Sequence, residues 1–282
     1  DLLAEVASLP DRPFENLNRE FYARLYGDTP YGHPLLGDSA SIAGIADVDL
    51  RDFMQRTMVG SNLVIAVSGP VDPKAVEAWA TAQFGSLTRG TEVKIDPALP
   101  IAPPAHAVDL VLDRDQEQTV YNTGWPTVAF TSPDYVPLRA AIGVLADRFF
   151  FKYVYEKGVA YRSWFYQTER LGPGSAQNEM GVSPEVYKSI SSEVLDDLAR
   201  FTREPVPADE LTAAEKKLIS RHYLGAQTSL ALAQRLAFFE LSGRGYQAVD
   251  RYPKEIEAVT PAAAGAAARK YLIEGRSTRV AV

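Results

Sequence analysis

Ser41-Ile42-Ala43-Gly44-Ile45 leads through Asp47 into a helix-like stretch, Leu50 to Met58, and then into the strand-like run Asn62-Leu63-Val64-Ile65-Ala66-Val67. Far downstream, Glu255-Ile256-Glu257-Ala258-Val259 leads through Thr260-Pro261 into Ala262 to Leu272, and then into Thr278-Arg279-Val280-Ala281-Val282. Ile42 and Ile45 match Ile256 and Val259 at one constant offset, and a single-residue insertion aligns the two strand-like runs. A helix–strand unit repeated at this separation implies two copies of one domain. The second copy has a long approach to its unit, whereas the first has only the forty residues before Ser41. The chain therefore reads as one and a half domains.

Composition is consistent with this. A chain of 282 residues, 46% hydrophobic and 23% charged, buries a large core, and its length allows two domains. The formal net charge of −7 argues against nucleic acid or an anionic membrane as the main partner. There are no cysteines, so neither a disulfide framework nor thiolate chemistry is expected. No apolar run approaches the ~20 residues of a membrane span, and no basic-then-apolar leader opens the chain. Asp1 stands where an initiator Met would, which points to a processed or cleaved N-terminus or to an artificial boundary. Periplasm and cytoplasm both remain open.

Along the chain, Leu2 to Tyr26 is mostly helical, broken by Pro10 and Pro13. Phe14, Leu17, Phe21 and Leu25 form the apolar stripe of the second helix. Gly27 to Asp38 reads as a loop, Asp47 or Asp49 as the cap of a short helix, and Leu63 to Val67 as a buried strand. Asp72-Pro73 opens a helix through Phe84, with Asp as N-cap and Pro at the first helical position. Residues 88–104 carry Pro97, Pro100, Pro103 and Pro104 and read as a linker. Beyond it come strands Ala107–Leu112 and Thr119–Thr123 and a helix from Tyr135 to Tyr155. A hairpin of Tyr161–Thr168 and Ser175–Val182 turns around Gly172-Pro173-Gly174. Helices Pro184–Thr202, Ala208–Gly225, Ser229–Leu241 and Thr260–Leu272 precede the closing strand. Strands first and helices after them predict an α+β fold, a mostly antiparallel sheet with helices packed on one face. The expected division is residues 1–87 as the C-terminal part of a first domain, 88–104 as linker and 105–282 as a complete second domain.

Several of these residues resemble the pitrilysin/insulinase family of zinc metallopeptidases, whose bacterial processing-peptidase-like members repeat one α+β domain. The match runs through Tyr31-Gly32-His33-Pro34-Leu35-Leu36-Gly37, the run to Ser68-Gly69, Gly158-Val159-Ala160-Tyr161, and Tyr252-Pro253 with Ile256 and Val259-Thr260. Peptide-cutting members carry His-x-x-Glu-His in the first domain, where two imidazoles and a distant carboxylate hold zinc and the motif Glu activates the bound water. The three histidines here, His33, His106 and His222, do not have that spacing and read as loop or surface residues. The resemblance places the zinc motif upstream of this chain. It also places Glu5, in Leu2-Leu3-Ala4-Glu5-Val6, where the family's third zinc ligand stands. The bland alternative is a solvated Glu at a frayed helix start. One carboxylate holds no zinc by itself, so the metal is expected in the intact parent and not in this chain alone.

Many relatives also carry an Arg seven residues before the Gly-x-Ala-Tyr tyrosine, and this pair helps bind substrate. Both groups can donate to a peptide carbonyl or its developing oxyanion. Here Tyr161 is present as a candidate substrate-binding residue, but the Arg position is Val154. An equally plain reading of Tyr161 is an aromatic packed on Trp164 or Phe165. In two-subunit relatives one subunit carries zinc and its partner the Arg/Tyr pair, so the resemblance implies a homo- or hetero-oligomer with such a subunit.

Other chemistries find little support. Asp113, Asp115 and Glu117 alternate with Arg114 and Gln116 as in a solvated turn, and Lys216, Lys217 and Arg221 read as a solvated helix face. No phosphate-binding loop surrounds Gly172-Pro173-Gly174. The expectation is a fragment of a zinc metalloendopeptidase that hydrolyses peptides in a clamshell chamber, itself carrying no complete catalytic set. The competing reading is a non-catalytic family subunit that binds peptides or acts as a scaffold.

Overall fold

Along Thr119–Pro126 (β2), Tyr121 and Trp125 face one side of the backbone, and Val120 and Asn122 the other, yet all four are buried. A strand buried on both faces must carry structure on each, and this one does. The computed structural model describes residues 2–94, 101, 104–112 and 118–282. Its sheet has five strands in the order β1-β5-β2-β4-β3: Val108–Val111 (β1), Thr278–Ala281 (β5), β2, Ser175–Val182 (β4) and Ala160–Gln167 (β3). β1 and β5 pair in parallel, and the other neighbours are antiparallel.

One face carries the main core. Tyr135–Phe149 (α6) lies on it, flanked by Pro184–Arg203 (α7), Ala208–Leu224 (α8), Ser229–Leu241 (α9), Ala248–Glu257 (α10) and Pro261–Tyr271 (α11). Trp125 closes part of this core, its indole N–H donating to the Ile273 carbonyl at 2.9 Å. Amphipathic spacing explains α7, where Ile190, Val194, Leu198 and Phe201 recur at three- and four-residue steps and are buried. The α10 helix is absent from the sequence-based expectation because Pro253 lies inside it, and proline ordinarily disfavours a helix interior.

Two short helices open the chain, Leu2–Ser8 (α1) and Pro13–Tyr26 (α2), joined by a 3-10 turn at Leu9–Asp11. Pro13 sits at the first turn of α2, where its missing N–H costs nothing. The predicted stripe on α2 is real, but Leu17, Phe21 and Leu25 pack against Val120, Val280 and Val282. α2 thus covers part of the second face of the sheet built from residues 108–281. Gly124 makes the close approach possible, because a Cβ there would lie 2.8 Å from Phe21 Cζ and 2.5 Å from the Ala176 carbonyl oxygen.

The stretch between α2 and residue 94 is different. It holds Ser39–Gly44 (α3), Asp47–Thr57 (α4) and Pro73–Phe84 (α5). Asp38 caps α3 by accepting from the Ser41 N–H at 2.7 Å, and Asp72 caps α5 by accepting from the Lys74 N–H at 3.0 Å. Asp49 is not the N-cap of α4; its carboxylate reaches back to the Ala46 N–H at 2.9 Å. Among the described residues, α3, α4 and α5 bury no side chain. Leu63–Val67, expected as a buried strand, is extended but unpaired, and Leu63, Ile65 and Val67 are exposed. The reason is physical: a strand exists only through its neighbour's hydrogen bonds. No described segment runs beside residues 63–67 in that way. The acidic run Asp113, Asp115 and Glu117 lies outside the described residues, as do 95–100 and 102–103 of the expected linker.

Candidate functional site

The Gly-x-Ala-Tyr residues follow an unusual helix end. α6 continues into a π-helical segment, Phe150–Glu156, and π segments are frequent at functional sites. Lys152 bridges Asp197 at 2.6 Å and Glu193 at 2.7 Å, Lys157 reaches Glu193 at 2.6 Å, and the Tyr153 hydroxyl donates to Asp197 at 2.6 Å. These contacts tie the segment to α7. Hydrogen bonds from Lys152 and Lys157 hold the Glu193 carboxyl below its usual range. Burial opposes the Lys152 cation, but hydrogen bonds to Asp197 and Glu193 outweigh it and raise its pKa. Gly158 then takes a left-handed conformation, φ 59°, and the Val159 N–H returns to the Tyr153 carbonyl at 3.1 Å. That turn starts β3.

Tyr161 sits at an irregularity in the β3–β4 register, between Ala160 and Arg162. Its side chain is 57% exposed, and its ring passes over Gly181, where a Cβ would approach Cε1 to 3.0 Å. Val154 is partly buried, packed against the main core from within the π segment. It has nothing to donate.

Sequence reading missed the neighbours of Tyr161. Arg162 lies between the rings of Phe14 on α2 and Trp164 on β3, its guanidinium carbon 4.0 Å from each centroid. It donates to the buried carboxylate of Glu179 on β4. Only the position of Arg162 beside Tyr161 hinted at this; no local signal links Phe14 or Glu179 to it. Beside this cluster, Gln177 Nε2 donates to the Tyr22 hydroxyl at 3.1 Å and to that of Tyr166. The Tyr31 hydroxyl accepts from the Gly172 N–H at 2.8 Å, and the Arg170 guanidinium lies 4.7 to 5.3 Å from the rings of Tyr31, Tyr22 and Tyr26. The Tyr-Gly-His-Pro loop is thereby fastened to the β3–β4 turn. Gly32 is required in it, since a Cβ would fall 2.0 Å from the Gly27 carbonyl oxygen.

The chemistry open to this surface is hydrogen bonding. The exposed Tyr161 phenol can donate to a carbonyl. Among the described residues β3 pairs only with β4, so its outer edge offers main-chain groups to an extended peptide, apart from the Gln167 carbonyl, which accepts from Arg139.

The other sequence-based candidates are not brought to it. Glu5 is exposed on α1, where its main-chain carbonyl accepts from the Ser8 hydroxyl at 2.8 Å. His33 and His106 are exposed. His222 is not a surface residue as expected: it is buried on α8, 5.3 Å from the Tyr252 ring, and burial lowers its pKa. The amphipathic period of α8 turns it inward beside Leu218. Among the described residues no three His, Cys, Asp or Glu side chains are grouped to hold a metal ion. The described residues therefore do not fit a zinc site.

Comparison with known proteins places the chain. Residues 48–218 match the family described as the peptidase M16 inactive domain. An uncharacterized zinc protease of Mycobacterium tuberculosis is 26% identical over 96% of this chain and 63% of its own length. One from Rickettsia felis is 26% identical over 90% of this chain and 61% of its own length. The chain thus spans less than two thirds of the curated relatives it matches. Among solved structures, a peptidase M16 inactive domain from Pseudomonas fluorescens superposes with a TM-score of 0.89 at 21% identity, over 99% of this chain and 67% of that one. A protease from Helicobacter pylori gives 0.87 at 18% identity, over 99% and 70%. These structures share the fold. With more than half of its length matched, the chain belongs to the M16 peptidases, the pitrilysin/insulinase family, in the part described as the inactive domain.

Proposed function

We propose that this chain is the C-terminal part of a zinc metalloendopeptidase, with the metal-binding motif upstream of Asp1, and that it helps enclose and hold peptide substrate. Residues 1–87 would complete a first, catalytic-type domain, and residues 105–282 form the second. The observation that carries this reading is the bare apolar surface of the first part. Leu50, Phe53 and Met54 on α4, Trp79 on α5, and Leu63, Ile65 and Val67 between them are all exposed. So many exposed large apolar side chains in one stretch of chain point to an interface, and here the run of residues 63–67 lacks neighbouring strands. The curated relatives are longer than this chain and are named zinc proteases, which agrees.

Within the proposed enzyme Tyr161 and the free edge of β3 would orient substrate. Because Val154 can donate nothing, a second donor would come from another family subunit. Glu5 would be one zinc ligand of the parent, and the partner histidines would lie on the upstream segment. The lack of a donor at Val154 also favours a second reading, a non-catalytic subunit that binds peptides or serves as a scaffold.

Amide hydrogen exchange tests the completed-sheet reading. In the chain of residues 1–282, the amides of Val64 to Val67 should exchange near the rate of an unprotected peptide. In the protein extended by its upstream sequence they should slow by about a hundredfold or more, as expected for core strands. Equal, fast exchange in both would refute it.

A further inference from the structure

The helical layer, on the side of the sheet away from α2, contains a cavity of about 360 Å³ between α6, α8, α9 and α10 that the peptidase reading does not use. Its charge is opposite to that of the chain. The protein carries a net −7, yet Arg139, Arg221 and Arg235 line this cavity against the single carboxylate of Glu169. Glu169 is already engaged, accepting from the Tyr135 hydroxyl at 2.8 Å.

The guanidinium groups are incompletely satisfied. Arg139 donates from Nη1 to the Gln167 carbonyl at 2.8 Å, but its Nε is buried without a partner. Arg235 donates to the main-chain carbonyl of His222. Among the described residues, neither Arg221 nor Arg235 has a carboxylate within ion-pair distance. Burial lowers the pKa of the His222 imidazole on the same wall. A buried donor without a partner is costly, and native structures keep few of them. The remaining wall is apolar, formed by Leu218, Phe238 and Phe239.

We infer that this cavity binds a carboxylate borne on an apolar body, the carboxylate held by the Arg221 and Arg235 side chains and the body lying on Leu218, Phe238 and Phe239. Arginine's planar fork matches carboxylate geometry. The volume is at the lower end of small-molecule sites and admits one aromatic or branched group. Two sources share this chemistry, a free aromatic acid and the C-terminal residue of a peptide.

Titration of the chain of residues 1–282, followed by backbone amide NMR, tests it. The probes are 3-phenylpropionate, N-acetylphenylalanine and N-acetylphenylalaninamide. Both acids should shift the amides of Ala231, Gln234 and Phe238 saturably, and the uncharged amide should bind about tenfold more weakly or worse, the scale of one charge-assisted hydrogen bond. Tighter binding of N-acetylphenylalanine identifies a peptide C-terminus, and tighter binding of 3-phenylpropionate a free acid. Arg221→Gln, at an exposed position, should weaken both acids about tenfold. Ala231→Trp should fill the cavity and abolish the shifts. Acid and amide binding equally, shifts outside the cavity, or unchanged affinity in Arg221→Gln would overturn the inference.

Discussion

Gly124→Val is expected to destabilise the protein by about 3 kcal/mol, the upper range for overpacking a filled site. A Cβ at this position meets the Ala176 carbonyl oxygen at 2.5 Å, Phe21 Cζ at 2.8 Å and Gln177 Cβ at 2.9 Å. Two of these neighbours belong to β4 and cannot move without breaking the β2–β4 ladder. The third is the fully buried ring that seats α2 on the sheet. Valine must therefore lift α2 or part the strands. The urea midpoint should fall with little change in slope. Gly44→Ala is the control: nothing lies within 4 Å of a Cβ there, and its φ is not positive. It should gain about 0.4–1 kcal/mol by restricting the unfolded chain. A neutral Gly124→Val would mean that α2 does not rest on this sheet.

If the proposed partner subunit carries an arginine beside its own Gly-x-Ala-Tyr tyrosine, removing it should lower peptide hydrolysis by the assembly on the order of 10²-fold, the scale of one lost oxyanion donor. Val154→Arg in this chain should leave the same activity almost unaltered. The valine is partly buried in a π segment that Lys152, Tyr153 and Lys157 tie to α7. A long arginine stem there would direct its head group to solvent. Hydrolysis by this subunit's parent alone, by the partner alone and by their mixture separates the cases. Full activity from the parent alone would refute the division of labour, and none from the mixture would favour the scaffold reading.

Local rules made the helices and strands of residues 105–282 legible, with the exception of α10. The stripe on α7 marks its buried face, and Gly-Pro-Gly marks the β3–β4 turn. The stripe on α2 was equally clear, but a stripe states that a face is buried and not what it is buried against. Its docking on the sheet depends on Val120, Gly124 and Val280, far along the chain from it. The same non-locality hid the surroundings of Tyr161: Phe14, Arg162, Trp164 and Glu179 come from α2, β3 and β4. Leu63–Val67 shows the opposite case. Its composition is that of a strand, and only the absence of a described neighbour keeps it from being one.

On the proposed function, zinc chemistry belongs to a longer protein of which this chain is the C-terminal part. Peptide hydrolysis measures it most directly, assayed with and without chelator on the chain of residues 1–282 and on the same chain extended by its upstream sequence. The shorter chain should be silent with or without added zinc. The extended protein, with its partner where one is needed, should cleave an unstructured peptide, lose that activity to chelator and regain it with zinc. Chelator-sensitive hydrolysis by residues 1–282 alone, or an extended protein that neither binds zinc nor cleaves peptide, would contradict it.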